Sequence, residues 1–365
     1  MRSRTGDENL KPMSYIQKLD ENFVLPELEG DWEWRDAAGW PLHGRGWSAG
    51  IATWGRLPDA AQAIVRPDVW TLSRHSAGLH YEFSTDSPDV GVQWGVLQEN
   101  IAMDHMAATG VSGLDIYRWD GSSWRMAGIA RPTQQQNRTF FCRRGPSPEV
   151  ERFRVHLPLY NGVTELRVGL RPGSTCEVHP PVKKPLCVYG TSIIQGGCAS
   201  RPGMAPTAIL GRLLDCPVIN LGFSGNGRAE PHMADILAEI KPAAFVVDCL
   251  PNIHTDFAEA HLSEFIPRLL RASGDVPVVF VGFLNAPGCS WTPAFAERVT
   301  SVERTQKEIL ARHKAEFHGR IHEIPGEALL GSDDEGTVDG IHPTDLGFHR
   351  MAVALSAALR PLLEK

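Results

Sequence analysis

The chain has 365 residues, 42% of them apolar and 22% charged, with a formal net charge of −7 and a pI near 6.1. That length can bury a large core and holds room for two domains. The acidic balance leaves no basic footprint for nucleic acid or an anionic membrane, and no apolar run approaches the ~20 residues of a spanning helix.

At the N-terminus, Arg2 and Arg4 have no apolar stretch behind them, so no secretory signal is expected. Seven cysteines without paired short spacings predict reduced, structural thiols and a cytoplasmic setting. From about residue 30 to 170, short runs of period-two alternation are separated by turn residues. Strands are expected at 78–84, 90–94, 114–119, 153–157 and 166–170, with Asp120-Gly121 and Asn161-Gly162 as hairpin turns. This is the pattern of an all-β sandwich. All the tryptophans except Trp291 lie in this half. Most are expected in its core, while Trp32, Trp34, Trp40, Trp47 and Trp54 suggest a wrapping arm or a substrate rim. Arg74-His75 and Asp104-His105 could reach a cleft, although stabilising the fold is the preferred reading.

Prolines and lysines over 172–185 hold the chain extended and put a domain boundary near residue 180, giving domains 1–180 and 181–365. Beyond it the grammar changes. Short apolar strands at 186–189, 218–221, 244–247, 278–281 and 321–324 alternate with helical periods at 206–214, 231–240, 257–272, 294–318 and 344–363. Such βα units predict a parallel sheet covered by helices on both faces, with ligands at the carboxyl ends of the strands. Ser192, Gly225 and Asn252 all fall just past such ends.

Ser192 follows Gly190-Thr191, and an isolated Gly-x-Ser is most often only a turn. It is not a Gly-x-Ser-x-Gly elbow, because Ile194 stands at the last position. Asp339 and His342 change that reading. Three residues apart through a glycine, the carboxylate can hold Nδ1 of the imidazole and leave Nε2 for a nucleophile. The backbone N–H groups of Ser192 and Gly225 and the Asn252 amide could meet an oxyanion. Asn252 could instead cap the next helix, and the glycine-rich run 222–227 lacks the spacing of a nucleotide cradle. Asp248, His254 and His322 lack the spacing of a zinc site, so neither a metal nor a cofactor is expected.

Gly190-Thr191-Ser192-Ile193, Gly222-Phe223-Ser224-Gly225-Asn226-Gly227, Asp248-Cys249-Leu250-Pro251-Asn252 and Asp339-Gly340-Ile341-His342-Pro343 resemble, in order, the four blocks of the SGNH (GDSL-type) hydrolases. The resemblance implies a flavodoxin-like fold and ester hydrolysis through Ser192, Gly225, Asn252 and His342, with Asp339 orienting the base. Thr191-Ser192-Ile193 stands where the commonest pattern has Asp-Ser-Leu, and Leu250-Pro251-Asn252 where it has Gly-Asn-Asp. Gly113-Leu114-Asp115-Ile116-Tyr117 is similar to the Gly-x-Asp-Leu-Tyr signature of a β-sandwich, jelly-roll-like, that precedes one branch associated with sugar esters. The expected substrate is a short acyl ester, acetyl above all, of a saccharide or similar polar alcohol. Other readings are a lipase or acyl-thioesterase on the same scaffold, and a carbohydrate-binding protein whose hydrolase half is inactive.

Overall fold

The computed structural model describes residues 18–20, 24, 28–142, 149–327 and 329–364. Its first half carries strands β1 (Glu33–Asp36), β2 (His80–Thr85), β3 (Asp89–Val96), β4 (Leu114–Trp119), β5 (Trp124–Ala130), β6 (Gln136–Cys142), β7 (Glu151–His156), β8 (Val163–Leu170) and β9 (Glu177–Val178). They form two antiparallel sheets, ordered β1-β8-β3-β6 and β5-β4-β7-β2-β9. The pleat sends alternate residues inward, so Val90, Val92, Trp94 and Val96 of β3 face Tyr81, Phe83, Ile116 and Val155 across one core.

Two details depart from the sequence reading. Strands β1, β5, β6 and β9 were not among those expected: β5 is an edge strand with Arg125, Met126 and Ala127 all exposed, so it lacks an inward stripe. Asn161-Gly162 is not a hairpin turn, because β7 and β8 belong to different sheets. It is a buried crossover in which Asn161 Oδ1 accepts from Gln98 N at 2.9 Å. Asp120-Gly121 does close the β4–β5 hairpin, with Asp120 Oδ1 accepting from the N–H groups of Ser122 and Ser123.

The second half is a parallel sheet of β10 (Leu186–Gly190), β11 (Val218–Gly222), β12 (Ala244–Asp248), β13 (Val278–Val281) and β14 (Ile321–Ile324), ordered β11-β10-β12-β13-β14. Its chief helices are α1 (Ser192–Gln195), α2 (Pro206–Leu214), α3 (Pro231–Ala238), α4 (Thr255–Ala272), α5 (Pro293–His313) and α6 (Asp345–Leu363). Helices α3, α4 and α5 pack with Cys187 and Tyr189 on one face of the sheet. Helices α2 and α6 pack with Leu186 and Val188 on the other. Helix α5 stops at His313, short of the expected 318. No described helix is long and apolar enough to cross a membrane.

The two halves are joined by buried polar contacts. Asp115, fully buried in β4, accepts from Arg201 Nη1 at 2.6 Å and from Gly203 N at 2.9 Å, and the Tyr117 hydroxyl accepts from the same guanidinium at 2.7 Å. The Gly-x-Asp-x-Tyr residues of the sandwich thus clamp the turn that leads into α2. The tryptophan segment is an arm laid over both halves. Trp54 Nε1 donates to the Tyr81 hydroxyl at 2.9 Å in the sandwich, and Trp47 Nε1 donates to Glu239 Oε2 at 2.7 Å beyond α3. Trp32 and Trp34 pack against Phe140.

Candidate active site

The carboxyl ends of β10, β11 and β12 lie side by side, in register at Gly190, Gly222 and Asp248. Just past β10 the Thr191 hydroxyl caps α1 by accepting from Ile193 N at 3.3 Å, and α1 closes within one turn at Gly196, whose φ is +103°. Ser192 therefore sits at the first helical position, where a backbone N–H has no intrahelical partner. The loop after β11 interlocks with this turn. A β-carbon on Gly227 would lie 2.0 Å from Gly190 O, and one on Gly222 would lie 2.1 Å from Gln195 N. Only hydrogen atoms fit at either place, which explains the glycine-rich run better than a phosphate cradle does.

The Ser192 hydroxyl and His342 Nε2 are 2.9 Å apart, and His342 Nδ1 is 2.7 Å from Asp339 Oδ2. The carboxylate can only accept, so Nδ1 carries the proton and Nε2 turns its lone pair toward Ser192. Asp339 Oδ1 accepts from His342 N at 2.7 Å and from Ile341 N at 3.0 Å, in a turn made possible by Gly340 at φ +86°. Burial pushes the Asp339 carboxyl up, but these N–H groups and the imidazole more than offset it, and it stays below its ordinary range. Thr344 caps α6 by accepting from Gly347 N, and Asp345 Oδ1 accepts from Ser200 N at 2.9 Å, tying the serine's trailing turn to the histidine's.

Gly225 has φ +67°, and its N–H has no partner among the described residues. The Asn252 amide is best oriented by its neighbours: turned so that Oδ1 faces the N–H groups of Asn226 and Gly227, it accepts from them at 3.1 and 3.2 Å and leaves Nδ2 free to donate. Ser192, His342 and Asp339 are thus in direct contact, while Gly225 and Asn252 lie on the loops that follow the neighbouring strands β11 and β12 at the carboxyl end of the sheet. Serine, imidazole and carboxylate form a continuous hydrogen-bonded chain, and the Gly225 N–H and the Asn252 amide stand on adjoining loops. Such an arrangement can activate a hydroxyl and stabilise a tetrahedral oxyanion.

Support that the sequence did not announce comes from the first half. Arg56 is fully buried and donates only to carbonyls: Leu72 O at 2.6 Å, Gly222 O at 2.7 Å, His75 O at 2.9 Å and Asn220 O at 3.2 Å. Burial lowers its pKa to about 9. Arg66 holds Asn226 through both its side chain and its carbonyl, and pairs with Glu230 at 2.6 Å. His75, expected to stabilise the fold, is a buried bridge between Gln98 and Gln195 at 3.1 Å each, and Gln195 Oε1 accepts from Ser224 N at 3.0 Å. Burial and Arg56 hold that imidazole neutral, with a pKa lowered to about 3. His105, expected to stabilise the fold as well, is exposed, and its ring centroid lies 5.8 Å from that of His342. Asp248, His254 and His322 form no ligand cluster among the described residues. Two other groups do, His105–Cys198–Asp339–His342 and His43–His80–Glu82. The six described cysteines are all unpaired; the side chain of Cys142 lies outside the described residues.

A parallel α/β sheet bearing a serine–histidine–aspartate relay behind an antiparallel sandwich defines a class of serine hydrolases. The profile of the GDSL-like lipase/acylhydrolase family matches residues 183–360, and that of the GxDLY domain, the N-terminus of SGNH-hydrolase-type esterases, matches residues 32–176. A solved structure assigned as a GDSL-like lipase from Bacteroides ovatus is 30% identical, with a TM-score of 0.86 over 92% of this chain and 98% of that one. At 16% identity, a salicylyl-acyltransferase from a tetracycline biosynthetic pathway has a TM-score of 0.75 over 91% of this chain and 97% of its own. A family two carbohydrate esterase from Clostridium thermocellum, solved with cellohexaose, is 13% identical, with a TM-score of 0.53 over 79% and 93%. No curated protein sequence matches the chain. The chain belongs to the GDSL-like lipase/acylhydrolase family, in the SGNH-type branch that carries a GxDLY domain, and is a carboxylic ester hydrolase.

Proposed function

We propose that the protein removes short acyl groups, acetyl above all, from a saccharide or similar polar alcohol, with Ser192 as nucleophile, His342 as base and Asp339 as orienting acid. The observation that carries this reading is the unbroken relay from Asp339 Oδ2 through His342 to the Ser192 hydroxyl, 2.7 and 2.9 Å. His342 Nε2 takes the hydroxyl proton as Ser192 Oγ attacks the ester carbonyl. The resulting oxyanion is met by the N–H groups of Ser192 and Gly225 and by Asn252 Nδ2. Collapse expels the alcohol with the proton from His342, and water then repeats the sequence on the acyl-enzyme. The saccharide part of the reading draws on the GxDLY domain and on the cellohexaose complex of the carbohydrate esterase neighbour.

The test is acetate release from a panel of acetylated sugars, beside p-nitrophenyl esters of increasing length. Acetyl esters should turn over fastest, and Ser192→Ala should lose about 10⁴-fold or more in kcat while remaining folded. Faster turnover of octanoate than of acetate would favour a lipase instead. Unchanged hydrolysis in Ser192→Ala would remove the nucleophile. Because a neutral imidazole is required at 342, kcat/KM should also decline toward acid pH; a flat profile from about pH 5 to 8 would place the base elsewhere.

A further inference from the structure

Two clusters of metal-ligating side chains stand out, and charge separates them. His43, His80 and Glu82 border a cavity of about 250 Å³ at the start of β11, at the opposite end of the sheet from Ser192. His43 Nε2 donates to His179 O at 2.8 Å, and His43 Nδ1 and His80 Nε2 lie 3.9 and 3.7 Å from Glu82. Glu82 is already paired with both Arg152 and Arg154. A divalent cation would meet two guanidinium groups there, so this cluster is a poor metal site.

The second cluster has the opposite balance. One ligand atom from each of His105, Cys198, Asp339 and His342 lies within 4.8 Å of the others, and Asp339 forms its ion pair with His342 alone among the described residues. Sulfur, two imidazoles and a carboxylate make the mixed set that Zn²⁺-class ions prefer, and thiolate plus carboxylate neutralise a 2+ charge. Bonds of about 2.0–2.3 Å require ligand atoms roughly 3.3–3.8 Å apart, so about an ångström of closure is needed. The exposed His105 ring, delivered by the sandwich, is free to supply it.

We propose that His105, Cys198 and the Asp339–His342 pair bind a thiophilic divalent cation of the Zn²⁺ class, and that occupancy switches ester hydrolysis off; the switching rests on the catalytic reading above. The Cys198 S–H bond breaks as the sulfur–metal bond forms, the proton passes to solvent, and no redox partner is involved. Coordination through either imidazole nitrogen disables the base. Binding at Nε2 consumes the lone pair that faces Ser192, and binding at Nδ1 forces the neutral ring to carry its proton on Nε2. Neither Cys198 nor His105 has a part in the proton relay.

Chelator-treated full-length protein should be titrated with Zn²⁺ while p-nitrophenyl acetate turnover is followed. In parallel, Ser192→Ala should compete for Zn²⁺ with a chromophoric chelator. The expected result is one Zn²⁺ per chain, inhibition reversed by EDTA, and similar inhibition by Cd²⁺ but not Mg²⁺. Cys198→Ala and His105→Ala should each raise the inhibitory concentration at least about tenfold while changing metal-free turnover by less than about twofold. Unchanged inhibition in both variants, or no Zn²⁺ bound by Ser192→Ala, would overturn the site. Stoichiometric Zn²⁺ on a Ser192→Ala protein that still hydrolyses ester would keep the site and remove the catalytic reading instead.

Discussion

The two halves of the molecule meet at one site but present their ionisable groups in opposite ways. The parallel-sheet half places Ser192, His342 and Asp339 on turns at the rim, where part of the relay meets solvent. The sandwich half and its arm place Arg56 and His75 beneath the glycine-rich loop, buried and bonded to backbone and amide groups. A charge at the rim can change during a reaction. A buried one is committed to holding a shape, because leaving its partners unpaired costs several kcal/mol.

The sharpest way to break the comparison is at the rim. Asp339→Asn leaves the turn nearly isosteric, but its amide can donate toward Nδ1 and so favours the wrong tautomer of His342. We expect about a 10⁴-fold fall in kcat with unchanged thermal stability. A fall of less than tenfold would mean that Asp339 does not orient the base. Asn252→Ala removes one proposed donor and should cost about 10²–10³-fold in kcat with little change in KM. An effect on KM alone would reassign that amide to ground-state binding.

The buried half should answer in the other currency. Arg56→Met leaves the carbonyls of Leu72, His75, Asn220 and Gly222 without their donor, so chemical denaturation should show a loss of about 4 kcal/mol. Near-normal stability with a large loss of kcat would reverse the division and make Arg56 part of the chemistry.

How much of this was legible follows from the same division. Asp339 and His342 are three residues apart, and Ser192, Gly225 and Asn252 each follow a strand with strong apolar patterning, so local sequence carries them. Arg56 contacts a loop 166 residues away through backbone carbonyls, which every residue type offers. No motif could announce it. His105 looked like a fold residue because nothing in Asp104-His105 encodes that its loop ends beside the His342 ring. Asn161-Gly162 misled for a related reason. The dipeptide tolerates a tight turn anywhere, and the contact that buries it, with Gln98, lies 63 residues back. The Asp115 clamp was visible only as a signature, since its partners Arg201 and Gly203 sit in the other half.

The smallest predicted effect lies where the comparison is least clean, at Asp248. It ends β12 directly beside Gly190, yet it is fully buried, and neither carboxylate oxygen has a hydrogen-bond partner among the described residues. Burial raises its pKa to about 7, from 3.8. The folded protein therefore binds this proton more tightly than the unfolded chain does. Its contribution to stability is full below about pH 4 and is lost as pH rises through 7. Buried histidines act in the opposite sense. His75 and His80, each lowered to about 3, cost stability as pH falls below their ordinary range. The useful measurement is thus the difference between the parent and Asp248→Asn above about pH 6.5. From there to pH 9 the parent should lose about 1 kcal/mol relative to the variant, read from denaturation midpoints at each pH. Parallel curves over that range would mean that the carboxylate finds a partner when it ionises, and this end of β12 would then belong with the rim and not with the buried frame.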